Sequence, residues 1–177
     1  MDEMYFFEYL MENVAIATVG DVMDLVGENR IFVKQGLEML KCTQNLGLKA
    51  LIECTKVDVQ RLSAYHIGFV IGPCLNASGR LDTAKRALEL LSAKTKKEAD
   101  VLAGDLKALN DSRKDLTMQA VEEAIALVEE SELKNDHVLV IYLPNCHESL
   151  AGIVAGRVLL SIVLAILAVL ATGIIGI

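Results

Sequence analysis

The chain has 177 residues, 53% of them hydrophobic and 5% aromatic, and its 17 Lys and Arg against 24 Asp and Glu give a net charge of −7. This composition excludes a disordered polyelectrolyte, a collagen-like chain and a basic protein that wraps duplex DNA, because such wrapping needs many clustered cations. The length permits one domain or pieces of two. The four cysteines form no CxxC pair, which favours a reducing cytoplasm over a secreted disulfide framework.

The first predicted element is a strand. The run Val14 to Thr18 is short, apolar and rich in small and β-branched residues, a pattern typical of a buried strand in an α/β sheet. Such a strand would deliver Asp21 at its carboxyl end, where open α/β sheets bind their ligands. Asp21 would thus present its carboxylate to a site, although one carboxylate does not make a two-metal site. The alternative is a turn or a helix cap, the commoner role of a lone Asp after a strand.

Helical spacing of apolar residues follows from Asn29 to Lys41. Ser63 is then predicted to cap a helix over Ala64 to Val70. The dipeptide Gly72-Pro73 should end that helix, because proline has no amide hydrogen to donate.

The segment from Cys74 to Arg80 is consequently predicted to be a loop, and it is the most site-like feature of the chain. Asn76 offers a donor and an acceptor, Gly79 lets a ligand approach the backbone closely, and Arg80 supplies a fork that matches a phosphate. A turn whose arginine merely pairs with a neighbour is an equally good interpretation of the same residues.

A long helix is predicted next. Thr95 to Glu98 matches the capping box, and leucines and alanines then recur at spacings of three and four as far as Glu130. This pattern predicts one helix of about 35 residues, about 50 Å long, which would bridge two lobes. An antiparallel pair of helices broken near Gly104 or Asn110 is the alternative.

After a polar break, the run from His137 to Leu143 predicts a second buried strand, followed by a loop containing His147 and an apolar helix. His147 is a candidate anion contact beside a helix start, or else an ordinary solvated histidine. The tail from Val158 to Ile177 has no charge. It is long enough to span a bilayer, but no Lys or Arg follows it and no aromatic belt marks its ends.

Three stretches together resemble the DHH phosphoesterase family, and within it the bacterial exonucleases specific for single-stranded DNA. They share their order and separations with that family, and they read VAIATVGDVMDL with GENR from Val14 to Arg30, GFVIGPCLNASGRL from Gly68 to Leu81, and HESLAGIVAGR from His147 to Arg157. The resemblance covers about Glu12 to Val158. Three ordered motifs make it specific, whereas each motif alone is weak.

The resemblance implies roles for individual residues. Asp21 corresponds to the last of the family's metal-binding aspartates, a ligand for Mn²⁺ or Mg²⁺ in a two-metal site. Asn76, Gly79 and Arg80 match the motif that lines the nucleic-acid channel. At the far end of the match, His147 and Arg157 open and close the motif of the associated lobe, where they are expected to contact DNA.

The implied activity is metal-assisted hydrolysis of a phosphodiester, in which the cations activate water and neutralise developing charge. In the family, single-stranded DNA is degraded from its 5′ end during recombination and repair. Single-stranded DNA is the implied partner, together with a single-stranded-DNA-binding protein, and no stable membrane partner is expected despite the tail. A relative acting on short oligonucleotides or cyclic dinucleotides, and a membrane-tethered helical interaction protein, are the competing interpretations.

The implied architecture is α/β and divides into four parts. Residues 1–93 are expected to form the C-terminal portion of a DHH catalytic domain, 94–134 a connecting helix, 135–157 the start of a DHH-associated domain, and 158–177 an atypical apolar tail. The motifs that carry the family's other aspartates and paired histidines are not in this sequence. We therefore expect a fragment that is inactive by itself.

Overall fold

The computed structural model describes residues 3–81, 83–131, 133 and 138–162. The regular structure of these residues is helical, and none of them lies in a strand. The α/β class expected from the sequence is therefore not found in the described part of the chain. Two compact units are present, Met1–Asp111 and Ser112–Ile177.

The first unit consists of helices joined by short turns. They are α1 (Glu3–Gly20), α2 (Gly27–Leu40), α3 (Leu46–Cys54), α4 (Ala64–His66), α5 (Gly72–Leu81), α6 (Lys85–Leu91) and the first half of α7 (Lys96–Glu130). A single 3₁₀ turn, Val59–Arg61, precedes α4, and a π-helical turn, Ile67–Ile71, joins α4 to α5.

The strand predicted from Val14 to Thr18 is wrong, because these residues belong to α1. A strand needs a hydrogen-bonded neighbour, and this segment instead finds a helix to pack against. Ala15 is fully buried where α1 crosses α2. At that crossing a Cβ on Gly36 would collide with Ala15 and would lie 2.6 Å from the carbonyl oxygen of Met11. The small residues Ala15 and Gly36 thus allow a close helix crossing. The run from Val14 to Thr18 has no alternation of apolar and polar residues, so its pattern fits a buried helix as well as a buried strand.

The start of α3 is hydrogen-bonded to the end of α6 and packs against it. Asn45 is buried; its side-chain oxygen accepts from the amide of Leu48 at 3.0 Å, and its Nδ2 donates to the carbonyl of Leu91 at 2.9 Å. At the second residue of α3, a Cβ on Gly47 would overlap the carbonyl oxygen of Leu90 and lie 2.6 Å from its carbonyl carbon. The two helices therefore meet backbone to backbone at this point.

The core of the first unit is built from buried side chains of α1, α2, α3, the π turn, α5, α6 and α7. Its largest fully buried members are Leu40, Leu48, Leu51, Ile67, Ile71, Leu90 and Leu106.

The predicted long helix is confirmed as α7, which has 35 residues. Thr95 Oγ1 accepts from the amide of Glu98 at 3.2 Å, as the capping box requires, while the Glu98 carboxylate accepts from the amide of Lys94 at 3.0 Å. Neither Gly104 nor Asn110 breaks the helix. Asn110 is buried and its Nδ2 lies 3.6 Å from the Sγ of Cys74, so tertiary contacts hold the helix through this point.

The second unit contains the rest of α7, a 3₁₀ turn at Glu148–Leu150 and a helix, α8, over residues 151–162. Its core joins Ala120 and Ala124 to Val154 and Val158. The predicted strand from His137 to Leu143 is not present in its described part: residues 138–143 have no regular structure, because no described segment pairs with them. His137 lies outside the described residues.

Replacing Gly47 tests the backbone contact between α3 and α6. Gly47→Ala should lower the free energy of unfolding by about 1–3 kcal/mol, because the added methyl group forces the Leu90 carbonyl to move. The control is Gly104→Ala, at a position on α7 where a Cβ meets nothing within 4 Å. It should raise stability by about 0.5–1 kcal/mol through helix propensity. Urea unfolding followed by circular dichroism measures both, and equal stability of the two variants would contradict the contact.

Burial of Glu12 makes stability depend on pH. The side chain is 4% exposed, and burial raises the pKa of Glu12 above its ordinary value of 4.5, with partial relief from a hydrogen bond to Thr43. The folded state therefore disfavours the ionised form. Below pH 4.5 both states are protonated and no penalty applies; as the pH rises through the folded-state pKa, wild-type stability is lost.

Glu12→Gln should consequently be more stable than the wild-type chain at about pH 7, and this advantage should shrink as the pH falls below 4.5. Glu122→Gln, at an exposed position on α7, provides the control and should show no such trend. Thermal unfolding at several pH values measures the difference. An advantage that is constant with pH would show that burial of the charge is not its cause.

Candidate nucleic-acid interface

The candidate site is built on a continuous helical run over residues 64–81. Ser63 precedes it with an extended backbone, as a capping residue should, but its side chain makes no capping bond. The Ser63 hydroxyl lies instead 2.9 Å from Nδ1 of His66. The prediction that Gly72-Pro73 ends the helix is wrong, because α5 follows the π turn without interruption.

The π turn explains how the helix passes the proline. A proline ring in an α-helix clashes with the carbonyl four residues before it and leaves that carbonyl without a donor. Here the chain widens over Ile67–Ile71, and the amide of Gly72 donates to the carbonyl of Ile67, five residues back. A Cβ on Gly72 would lie 2.8 Å from that oxygen. Glycine therefore permits the bond. Pro73 is the second residue of α5 and lies in its first turn, where a missing amide is tolerated.

The segment predicted as a loop is therefore the helix α5, and its residues divide into two faces. Cys74, Ala77 and Ser78 are buried against the first core, whereas Asn76 and Gly79 are exposed. Within the described residues the Asn76 amide has no hydrogen-bond partner, so both its donor and its acceptor face solvent. Arg80 follows one turn after Asn76 in the same helix; its side chain lies outside the described part.

Asp21 lies in the turn that follows α1 rather than at the end of a strand. The amide of Val22 donates to the carbonyl of Val19 and that of Met23 to the carbonyl of Thr18, both at 3.1 Å, while Val22 takes a left-handed φ of 55°. This is the Schellman arrangement that ends helices, with valine in the place usually held by glycine. The Asp21 side chain is exposed and makes no hydrogen bond or ion pair with any described residue.

Asp21 and the helical run belong to the same part of the first unit. Val19 packs over Gly68, since a Cβ on Gly68 would lie 3.4 Å from Cγ1 of Val19. The turn holding Asp21 thus begins beside the π turn that leads to Asn76.

A metal centre is not assembled by the described residues. They contain no group of three or more His, Cys, Asp or Glu side chains placed to hold a metal ion. Mg²⁺ and Mn²⁺ need several oxygen or imidazole donors, and Asp21 contributes one carboxylate. The described residues therefore fit a single ligand of such a centre and not the centre itself.

His147 and Arg157 belong to the second unit. His147 caps the 3₁₀ turn: its Nδ1 accepts from the amide of Ser149 at 3.2 Å and lies 2.8 Å from the Ser149 hydroxyl. Nδ1 therefore carries no proton in this contact, and Nε2 remains as the outward donor. Arg157 is exposed on α8, while Val154 and Val158 of the same helix are buried.

Two exposed aromatic rings share the face that carries Asn76, and the sequence-based search for sites missed them. Tyr65 and Phe69 are 64% and 68% exposed, and their rings stack with centroids 4.9 Å apart and planes inclined at 27°. Their spacing of four residues within a predicted helix was the available signal, because residues four apart lie on one helix face.

Comparison with known proteins identifies relatives of the chain. No protein-family model matches it. It is 39% identical over 153 residues to the single-stranded-DNA-specific exonuclease RecJ of Escherichia coli, a match that covers 84% of this chain and 26% of that protein. The chain thus spans about a quarter of the length of this curated relative.

Solved structures give the same result. The Mg²⁺ complex of RecJ from Thermus thermophilus matches with a TM-score of 0.78 and 30% identity, over 88% of this chain and 24% of that one. An exonuclease RecJ bound to manganese matches with a TM-score of 0.75 and 31% identity, over 86% of this chain and 39% of that one. The resemblance predicted from the three motifs is confirmed: most of this chain is similar in sequence and fold to one segment of RecJ.

Proposed function

We propose that this chain, a relative of one segment of RecJ, supplies part of the DNA-contacting surface of a 5′–3′ exonuclease specific for single-stranded DNA. The observation that carries the proposal is the agreement between a 39% identity to RecJ over 153 residues and the exposed face of α5. The reaction is metal-dependent hydrolysis of a phosphodiester, and its place is DNA recombination and repair.

Asn76, Gly79 and Arg80 are proposed as the principal DNA contacts. The free amide of Asn76 can donate to a phosphate oxygen or pair with the edge of a base. Gly79 is exposed and has no side chain to keep a strand away from the helix. Arg80, one turn beyond Asn76, would hold a phosphate through its planar fork.

His147 and Arg157 are proposed as further contacts in the second unit. The capping bond at Nδ1 fixes the imidazole so that Nε2–H can donate to a phosphate. Arg157 is exposed on the side of α8 away from its core, which suits a cation that meets a polyanion.

Asp21 is proposed as one ligand of Mg²⁺ or Mn²⁺, the ions present in the RecJ structures to which the chain is similar. Its carboxylate has no partner among the described residues and is free to bind a cation. Because these residues provide no complete ligand set, we derive no hydrolytic step from them. We propose that the chain binds single-stranded DNA but does not cleave it alone.

We also propose a division of the chain into domains. Residues 1–93 would belong to the catalytic domain, α7 within 94–134 would connect two domains, and 135–157 would begin the α/β lobe associated with DHH enzymes, ahead of the apolar tail at 158–177. In that lobe residues 138–143, which have no regular structure here, would become a strand once a neighbouring strand pairs with them.

We further propose that the protein is cytoplasmic and that it associates with a single-stranded-DNA-binding protein. The competing membrane-tethered function receives no support from the described residues, among which no helix is long and apolar enough to cross a bilayer. The larger part of the apolar tail, residues 163–177, lies outside the described residues.

The proposal separates binding from cleavage. The purified chain should bind a 5′-labelled single strand in a fluorescence anisotropy titration, and it should release no labelled nucleotide in the presence of Mn²⁺. Arg80→Ala should weaken binding about tenfold and reduce the slope of log affinity against log salt by about one. Lys97→Ala, which removes an exposed cation from α7, is the control for loss of charge alone.

Two outcomes contradict the proposal in different ways. Absence of any binding to single strands would overturn the DNA-contacting role. Efficient release of nucleotides that Asp21→Ala abolishes would show that this chain holds a complete metal centre.

A further inference from the structure

The stacked rings of Tyr65 and Phe69 are the most unusual feature of the surface that the proposed contacts leave unexplained. The chain has only four Phe and four Tyr, and two of these eight side chains lie together in solvent. Burying a large aromatic ring normally contributes substantially to stability. Here the core beneath is filled by Ile67 and Ile71, each fully buried, so the two rings add nothing to that core.

The rings are held in place by their neighbours. The ring of His66 meets that of Tyr65 edge to face, with centroids 5.7 Å apart and planes at 88°. His66 is in turn tied to Ser63, whose hydroxyl lies 2.9 Å from Nδ1. Tyr65 then stacks on Phe69, which lies in the π turn fixed by Gly72. The aromatic planes are thus oriented before any ligand arrives, which lowers the entropic cost of binding.

The rings also lie in line with Asn76. Along residues 64–81 the exposed positions include Tyr65, Phe69, Asn76 and Gly79, while Ile67, Ile71, Cys74 and Ala77 are buried. The two aromatic planes and the free amide therefore occupy one side of one helical run. A strand that lies along this side would meet flat apolar surfaces first and a polar group farther on.

Charge decides which part of a nucleic acid this surface can use. A chain with a net charge of −7 has no general attraction for a polyanion, so phosphates can be held only at individual basic side chains such as Arg80. Base stacking has no such restriction, and every base has a face that can stack on an aromatic ring. The neutral pair Tyr65 and Phe69 suits bases and not the backbone.

We infer that Tyr65 and Phe69 form a base-stacking platform for single-stranded DNA, on the same helical run as the contacts at Asn76 and Arg80. This inference rests on the proposed function and adds to it two residues that contact bases and not phosphates. The platform is tolerant of sequence, since stacking does not read the hydrogen-bonding edges of the bases.

The test compares ring removal with phosphate-contact removal in the full chain. Tyr65→Leu and Phe69→Leu should each weaken binding to a fluorescein-labelled oligothymidine about tenfold, in keeping with the loss of about one stacked base. Phe69→Trp should restore binding to within about twofold of the wild-type level. Leu88→Ala, at a leucine that is 65% exposed on α6, is the control for losing an exposed apolar side chain.

Two readouts distinguish a stacking role from a merely structural one. An abasic strand of the same length should bind the wild-type chain and the two leucine variants equally weakly, because it offers phosphates without bases. The leucine variants should keep the wild-type salt slope, whereas Arg80→Ala should reduce it. Thermal unfolding monitors the fold of every variant.

The possible results separate the two proposals. If the ring variants bind like wild type while Arg80→Ala weakens binding, the platform is overturned and the proposed function stands. If the ring variants lose affinity and Arg80→Ala does not, the platform stands and the assigned phosphate contact fails. If abasic and natural strands bind the wild-type chain equally, base stacking contributes nothing and the platform is again overturned. If the wild-type chain binds no single strand, both are overturned.

Discussion

The hydrogen bond from the amide of Gly72 to the carbonyl of Ile67 is the interaction on which the candidate site depends. It lets one helical run pass Pro73 without a break, so that residues 64–81 keep one buried side and one exposed side. Without the π turn, the proline would end the helix at residue 71 and Asn76 would lie in an independent loop. Because the run continues, the core that anchors Ile67 and Ile71 also fixes the direction in which the site residues face.

The elements that could be predicted from sequence were those whose pattern was long. Helix α7 keeps its helical pattern over 35 residues, and at that length the only alternative was a pair of helices broken near Gly104 or Asn110. The five residues from Val14 to Thr18 are too few to show a period, and their β-branched composition favoured a strand that tertiary packing against Gly36 overrides. The continuation through Pro73 could not be predicted, because it needs both the glycine before the proline and a core that holds the widened turn.

The candidate site residues also divide into those that could be proposed from the sequence and those that could not. Asn76 and Arg80 could be proposed as DNA contacts from the sequence because their chemistry is apparent in any conformation, and the structure places both residues in α5, one turn apart. Tyr65 and Phe69 were overlooked, since an aromatic residue in an apolar stretch is ordinarily assigned to the core. Only the burial of Ile67 and Ile71 in their place reveals that the rings face solvent. The exposure of Asp21 likewise became apparent only when a helix end replaced the expected strand.

The proposed DNA contacts at Asn76, Gly79 and Arg80 lie on one helical run, and the turn after α1 carries the exposed carboxylate of Asp21. The chain matches about a quarter of the length of RecJ from Escherichia coli. The proposed role is therefore binding and not cleavage, because the described residues contain no group of ligands that would hold paired cations.

The most direct measurement of this account is a titration of the ¹⁵N-labelled chain with oligothymidine, followed by heteronuclear NMR. We predict that the largest amide shift changes fall on Tyr65, Phe69, Asn76 and Gly79, on the exposed side of the run, while amides in α3 and α6 change little. Shift changes that spare these four residues and cluster on other helices would contradict the account.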